Sequence, residues 1–511
     1  MIDATPLLRV LSRRRLASLA RQDARAVQEA RLLRLVRRAA HTRFGIDHGF
    51  AAVRGVEDFQ ARVPLRRYED FRAAYWQRDF PVVDNASWPG RIRFFAKTSG
   101  TSSGSSKHIP VTRAILAGYR RAVLDMLAFH LAAHPQSRVL GGKSCMLGGS
   151  TELERLAPGT WAGDVSGIAA REAPLWARAF TFPPPEVARI VDWERKMAIL
   201  GPLSLARDIR IIGGTSSWLL LFLQDVMQQR SADLATCWPT LALIVYGGVA
   251  FAPYRAQFEA LVAGTGVDLR EVYPASEGFI AVADRGVDEG LRLQVDGGLF
   301  YEFVPVEELD AATPRRAWLA TAETGVNYAI ALSTPAGLWG YLLGDTVRFV
   351  DLDPPRILVT GRVSTSLSAF GEHLIEEEIV RAVTEAARAI GAEVADFTVG
   401  PVFPEGGERR GRHRFIVELA GVAVDSDAAD LFGRRLDAAL AAANADYAAH
   451  RAGDLQMREP EIVVAPPGTF ARWMKARGRF GAQNKVPRVL TDPAMLAELG
   501  EHALRQRAES G

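Results

Sequence analysis

Between residues 90 and 360, short apolar runs rich in β-branched residues alternate with helical stretches. That alternation commits the chain to a layered α/β architecture, because strands apolar on both faces must be covered by helices. Residues 241–246 (LALIVY) read as one such buried strand, ended by Gly247-Gly248. Residues 271–273 close another short run. Residues 347–350 and 356–360 read as two strands on either side of a turn at 351–355. Past residue 362 the rhythm changes. Ile379, Ala382, Val383, Ala386 and Ile390 fall on one helical face. Strand-like 397–402 and 414–419 flank a turn at Gly406-Gly407. A second helix carries Phe432, Leu436, Leu440, Ala443 and Tyr447, and 461–465 reads as a further strand. The expected division is therefore a large N-terminal α/β domain, residues 1–362, and a smaller C-terminal α+β domain, residues 363–511, with the boundary within 362–368.

A chain of 511 residues has room for several domains at about 150 residues each. With 48% apolar and 24% charged residues it is neither disordered nor fibrous, and two distant cysteines, Cys145 and Cys237, exclude a disulfide-stapled module. The nine histidines form no HExxH or comparable zinc pattern. The net charge of +3 is unevenly spread: the first 40 residues hold ten Arg against three acidic residues. The rest of the chain is mildly acidic, which argues against a nucleic-acid-binding body. Residues 7–40 read as one or two amphipathic helices, with Leu8, Leu11, Leu19, Val27, Leu32 and Val36 set among arginines and a basic face turned to solvent. The longest apolar run, 218–223, is too short to span a bilayer, and no signal-peptide pattern follows the start. A cytoplasmic protein without a membrane span is the expectation.

The segment 98–107, TSGTSSGSSK, is the sharpest chemical signal. Small hydroxylated residues and glycines let successive backbone N–H groups converge on phosphate oxygens, and Lys107 adds a mobile positive charge. It is one of only six lysines in the chain. Three residues rather than four separate Gly100 from Gly104, and His108 follows the lysine, so this is not a Walker loop. Tyr273-Pro-Ala-Ser-Glu277 stands at a predicted strand end, where open α/β sheets place their ligands. There an aromatic ring can stack on a base and a carboxylate can hold Mg²⁺ against phosphates. In Tyr341-Leu-Leu-Gly-Asp345 a carboxylate follows a glycine, a pattern able to accept hydrogen bonds from ribose hydroxyls but also common in turns. Gly361-Arg362 and the glycine-flanked Lys485 of GAQNKVPR complete the set.

In this order the motifs resemble the adenylate-forming superfamily, and most closely its GH3 acyl acid amido synthetases. The resemblance begins at Thr42-Arg-Phe-Gly45, Val63-Pro64 and Tyr68-Glu-Asp70 and runs through Tyr246-Gly-Gly248 to the terminal QNKVPR. It implies an adenylate-forming fold whose small domain moves about a hinge. It also implies that Thr98, Ser99, Gly100, Thr101, Ser102 and Lys107 hold the phosphates of ATP. Gly247 and Gly248 would let backbone approach the adenine and Tyr273 would stack on it. Ser276 would contact the α-phosphate, Glu277 would ligate Mg²⁺, Asp345 would bind the ribose, and Arg362 would sit beside it at the hinge. Lys485 would reach the carboxylate and α-phosphate during adenylation, so Lys485, Lys107 and Glu277 are the expected catalytic residues. Leu342 and Asn484 depart from the plant pattern, which has Arg and Tyr at these positions, as do residues 364–373.

The implied function is an ATP-dependent ligase that adenylates a carboxylic acid, releases pyrophosphate and passes the acyl group to an amine, an amino acid being the expected acceptor. Transfer to the thiol of coenzyme A and nucleotide binding without catalysis are the alternatives. Trp161, Phe180, Phe182, Trp193 and Trp218 are candidates to line an apolar pocket for the acid, and ordinary core packing would account for each equally well.

Overall fold

The computed structural model describes residues 3–510 except 99–106, 249–250, 364–366, 368–373, 404–410, 422–423, 445–446, 449–450, 452–456, 479–484 and 491. The chain divides into two compact units, one formed by Met1–Gly248 with Leu261–Val359, the other by Val249–Ala260 with Thr360–Gly511.

In the first unit the strands are β1 (Phe94–Thr98), β2 (Lys107–Val111), β3 (Lys143–Leu147), β4 (Glu154–Ala157), β5 (Thr160–Gly163), β6 (Thr181–Phe182), β7 (Ile209–Thr215), β8 (Leu243–Gly247), β9 (Asp268–Ala275), β10 (Gly278–Val282), β11 (Leu291–Leu293), β12 (Phe300–Pro305), β13 (Asn327–Ser333) and β14 (Tyr341–Leu352), followed by β15 (Pro355–Arg362), which runs across the unit boundary. They form a four-stranded sheet, β2-β1-β5-β4, and an eleven-stranded sheet, β12-β13-β14-β15-β11-β10-β9-β8-β7-β3-β6. From β6 through β3, β7 and β8 to β9 the pairing is parallel; between β9 and β10 it becomes antiparallel. Every residue of β8 is buried, as a strand covered on both faces requires. That strand starts two residues later than the apolar run suggests, because Leu241 closes a turn on the Trp238 carbonyl (3.0 Å).

Helix Arg113–Ala133 packs against β10 and against the N-terminal helix Thr5–Leu19. Thr112 caps its start, accepting from the Ile115 N–H at 3.3 Å. The N-terminal basic face is not wholly turned to solvent as its composition suggests. Arg15 is buried, with Nε 2.6 Å from Asp125 of the facing helix and Nη1 2.8 Å from Asp296. Two acidic partners on neighbouring elements draw it inward. The core gathers round the fully buried Trp339, whose indole meets Phe50 at 4.8 Å and Phe44 at 6.0 Å.

The second unit holds β16 (Glu393–Val402), β17 (Arg412–Ala420) and β18 (Glu461–Ala465), β16 antiparallel and β18 parallel to β17. Helices Glu376–Ala389 and Ser426–Ala443 pack on each other, burying Ile379, Val383, Phe432 and Leu436 with Phe397 and Phe415 of the sheet. Tyr447 lies beyond the second helix yet is buried, its hydroxyl donating to Asp437 at 2.6 Å. The expected turn at Gly406-Gly407 lies outside the described residues.

Candidate active site

The site of the first unit forms where the sheet changes from parallel to antiparallel. Ala275 pairs with Gly278, so Ser276 and Glu277 are the two-residue turn of the β9–β10 hairpin, at the end of the last parallel strand. Such strand ends are where open α/β sheets leave room for a ligand. A bulge at 279–281 on β10 bends the hairpin immediately beyond the turn.

A second bulge delivers Asp345. Thr346 pairs with Ala329 and Leu342 with Ala331, so Leu343, Gly344 and Asp345 swell out of the β13–β14 ladder. Gly344 has φ of 95°, a left-handed conformation open to glycine and costly to other residues. The glycine of YLLGD thus serves a conformational need. It turns the strand so that the Asp345 carboxylate meets the Tyr273 hydroxyl, which donates to Oδ2 at 2.6 Å. Glu277 and Asp345 are both buried and repel each other electrostatically. The Tyr341 hydroxyl donates to Glu277. Burial, reinforced by the Asp345 charge, pushes the Glu277 carboxyl up to about 7, against the opposing pull of that hydrogen bond and of Lys107.

Lys107 arrives from the other sheet. It opens β2 directly opposite Thr98, the last residue of β1, so this rung brings together the two ends of the serine-glycine segment. Ser99, Gly100, Thr101 and Ser102 lie outside the described residues. The Lys107 ammonium stands 5.6 Å from the centre of the Tyr68 ring, and the Tyr68 hydroxyl accepts from the next backbone N–H, that of His108, at 2.8 Å. Tyr68 in turn follows a segment stitched to β14. Arg66 N–H donates to Gly340 O and Leu342 N–H donates to Arg66 O, both at 2.9 Å. Tyr68 and Tyr341 therefore connect the lysine strand to the carboxylate strand. Both appear in sequence motifs, but a tyrosine's partner 40 residues away leaves no local pattern.

Gly247 ends β8 opposite Val272 of β9. A Cβ on Gly247 would lie 2.2 Å from the Val272 carbonyl oxygen, and Gly248 follows with φ of 84°. The YGG motif thus permits a close strand approach and then a turn. Thr98, Lys107, Gly247, Gly248, Tyr273, Ser276, Glu277 and Asp345 all belong to the first unit, and of these Lys107, Tyr273, Glu277 and Asp345 interact directly or through their fields. The aromatic candidates fall at separate places. Trp161 on β5 stacks on Phe94 at 5.7 Å beneath Arg171, whereas Trp193 and Trp218 meet at 5.1 Å on two helices and Phe182 sits on β6 at the far sheet edge.

In the second unit Arg362 ends β15, exposed, and Lys485 is exposed three residues before Arg488. Arg488 is buried and anchors that segment. It pairs with Asp396 and donates to Phe397 O at 2.9 Å and to Tyr254 Oη at 3.1 Å, while its own carbonyl accepts from Val399 N–H at 2.9 Å. The role of Arg488 was not apparent from the motif alone; a buried arginine is read from its partners.

The GH3 family N-terminal domain matches residues 14–237, the central domain 293–362 and the C-terminal domain 377–494. Among curated relatives, the indole-3-acetic acid-amido synthetase GH3.8 of Oryza sativa subsp. indica is 31% identical over 214 residues, 39% of this chain and 34% of its own. The probable indole-3-acetic acid-amido synthetase GH3.9 of Oryza sativa subsp. japonica is 30% identical over 243 residues, 44% of this chain and 54% of its own. The matched stretch thus spans about a third to a half of those relatives' lengths. The fold is similar to that of GH3.15 acyl acid amido synthetase, with a TM-score of 0.78 and 20% identity over 96% of this chain and 95% of the other. With the N-terminal, central and C-terminal domains of one family following in order along it, the chain belongs to the GH3 family.

Proposed function

We propose that the protein is an ATP-dependent acyl acid amido synthetase: it adenylates a carboxylic acid, releasing pyrophosphate, and transfers the acyl group to an amine, an amino acid by analogy with the names of its relatives. The observation that carries this reading is the buried pair Glu277 and Asp345, within electrostatic reach of Lys107 at the mouth of the serine-glycine segment.

A carboxylate is a poor acyl donor because its leaving group would be an oxide. Its attack on the α-phosphorus of ATP gives a mixed anhydride whose leaving group is AMP, and the amine then attacks the acyl carbon. Two anions must first be brought together, so the site has to supply positive charge. Residues 98–102 with Lys107 hold the phosphates in this reading, and Ser276 contacts the α-phosphate. Gly247 and Gly248 give the adenine access to backbone beside Tyr273, and Asp345 holds the ribose with Arg362 nearby. Lys485 of the second unit brings a charge to the reacting carboxylate and α-phosphate. Two buried carboxylates make an oxygen donor set that suits a hard divalent cation, and Glu277 would hold Mg²⁺ there. When bound, that ion supplies neutralisation of phosphate charge. Burial of Glu277, Tyr273 and Tyr341 keeps water from this part of the site, as a hydrolysable anhydride demands.

The test is ATP–pyrophosphate exchange across a library of carboxylic acids. Exchange should appear with particular acids and not without them, and the preformed adenylate should be consumed by amino acids rather than by coenzyme A. Lys485→Ala should slow exchange by about 10²–10³-fold, the cost of one charge-stabilising contact. Tight ATP binding with no exchange from any acid overturns the proposal, and an unchanged rate in the variant removes Lys485 from it.

A further inference from the structure

We propose that His130, His134 and Asp268 form a binding site for a divalent transition metal, Zn²⁺ being the ion their chemistry fits, at the opposite end of β9 from the carboxylate pair. One potential ligand atom from each of the three lies within 4.8 Å of the others. His130 and His134 are one helical turn apart, which puts both imidazoles on one side at the C-terminal end of helix Arg113–Ala133. Their rings stack with centroids 5.2 Å apart. Asp268 opens β9 and supplies the third group. His130 Nδ1 is 2.8 Å from Asp268 Oδ2, and His134 Nε2 is 3.6 Å from Oδ1.

The surroundings are those of a metal centre's outer shell. The other ring nitrogen of His130, Nε2, lies 2.8 Å from Ser137 Oγ. With a metal on Nδ1, the imidazole carries its proton on Nε2 and donates to that hydroxyl, so the ring stays neutral and keeps its orientation. The Asp268 carboxylate is divided between its two oxygens: Arg270 Nε holds Oδ2 at 2.7 Å, leaving the Oδ1 edge toward His134. The Asp268 anion and the Arg270 cation balance, so the incoming ion meets no net repulsion. His130 is almost fully buried whereas the His134 side chain is 40% exposed, which gives the ion an entrance and room for a water as fourth ligand. Two imidazoles and one carboxylate select a borderline ion over Mg²⁺ or Ca²⁺. Asp268 and Tyr273 are five residues apart on an extended strand, about 17 Å, so this metal takes no part in the acyl chemistry. Its effect is to clamp the end of a long helix to the start of the strand that carries the carboxylate hairpin.

The experiment uses the full chain without a histidine tag, stripped of metal and titrated with Zn²⁺ against a chromogenic chelator, with Co²⁺ as spectroscopic probe. One equivalent of Zn²⁺ should bind, Co²⁺ should show the strong visible absorption of a tetrahedral centre, and the thermal midpoint should rise with Zn²⁺. Ser137→Ala should weaken binding by about 10–100-fold, and His134→Ala, which removes a ligand, by more. His134→Ala alters an exposed side chain, so it should fold with the metal-free midpoint of the parent and lose the rise with Zn²⁺. No binding by the parent overturns the site, as does binding that persists in both His134→Ala and His130→Gln. None of these readings depends on ATP, so failure here and failure of the ligase reading are told apart.

Discussion

Glu277 sits where water does not reach it, and this governs how the metal-free protein answers to pH. In the fold the carboxyl keeps its proton up to about 7; in the unfolded chain it releases it near the ordinary 4.5. Between those values the folded state binds more protons, so the contribution of this group to stability is complete below about 4.5 and lost as pH rises through 7. Glu277→Gln removes the ionisation and keeps the shape. In chelator-treated buffer its thermal midpoint should exceed that of the parent above pH 7, with the gap closing as the pH falls; a gap independent of pH would show that the carboxylate is ionised throughout. Glu277 and Asp345 were visible in the sequence because carboxylates beside small residues at strand ends form a local pattern. The hydrogen bonds of Tyr341 to Glu277 and of the His108 N–H to Tyr68 were not foreseen, since they exist only once distant strands have met.

At the scale of the element, the buried strand β8, the second-unit helix beginning at Glu376 and the strand β18 follow from periodicity with small boundary shifts, because burial on two faces or one leaves a regular imprint. The bulges at 279–281 and 343–345 leave none. They arise from a mismatch between paired strands, which no single stretch of chain encodes. Gly247 lies between these cases: its motif was evident, but the reason for glycine is the neighbouring strand. Gly247→Ala forces a methyl group against the Val272 carbonyl, so β8 and β9 must part. Urea denaturation should register a loss of about 1–3 kcal/mol, the usual cost of overpacking, together with weaker nucleotide binding. Unaltered stability would mean that the strands already have slack.

Over the whole molecule, the first unit is held together across long sequence separations by buried polar groups. Arg15 joins Asp125 and Asp296, with Arg121 3.0 Å from Asp296 on its other side. Gln28 donates to the carbonyls of Val295 and Leu299 and accepts from the Tyr301 N–H. Composition shows ten arginines at the start of the chain but not which of them turns inward. Arg15→Ala leaves Asp125 buried without its cation and should cost about 3–5 kcal/mol by denaturant unfolding. Adding Asp125→Leu should recover part of that loss, because Asp296 keeps Arg121. The rung between Thr98 and Lys107 has a different consequence. Directly opposed residues of an antiparallel pair stand about 5 Å apart, so the eight residues strung between them enter and leave through one narrow gate. Swapping that insert for another of similar length leaves the gateposts and the sheet behind them intact. On the proposed reading, exchanges within that insert alter the grip on a polyanion independently of the scaffold, while the groups beside base and ribose stay as they are.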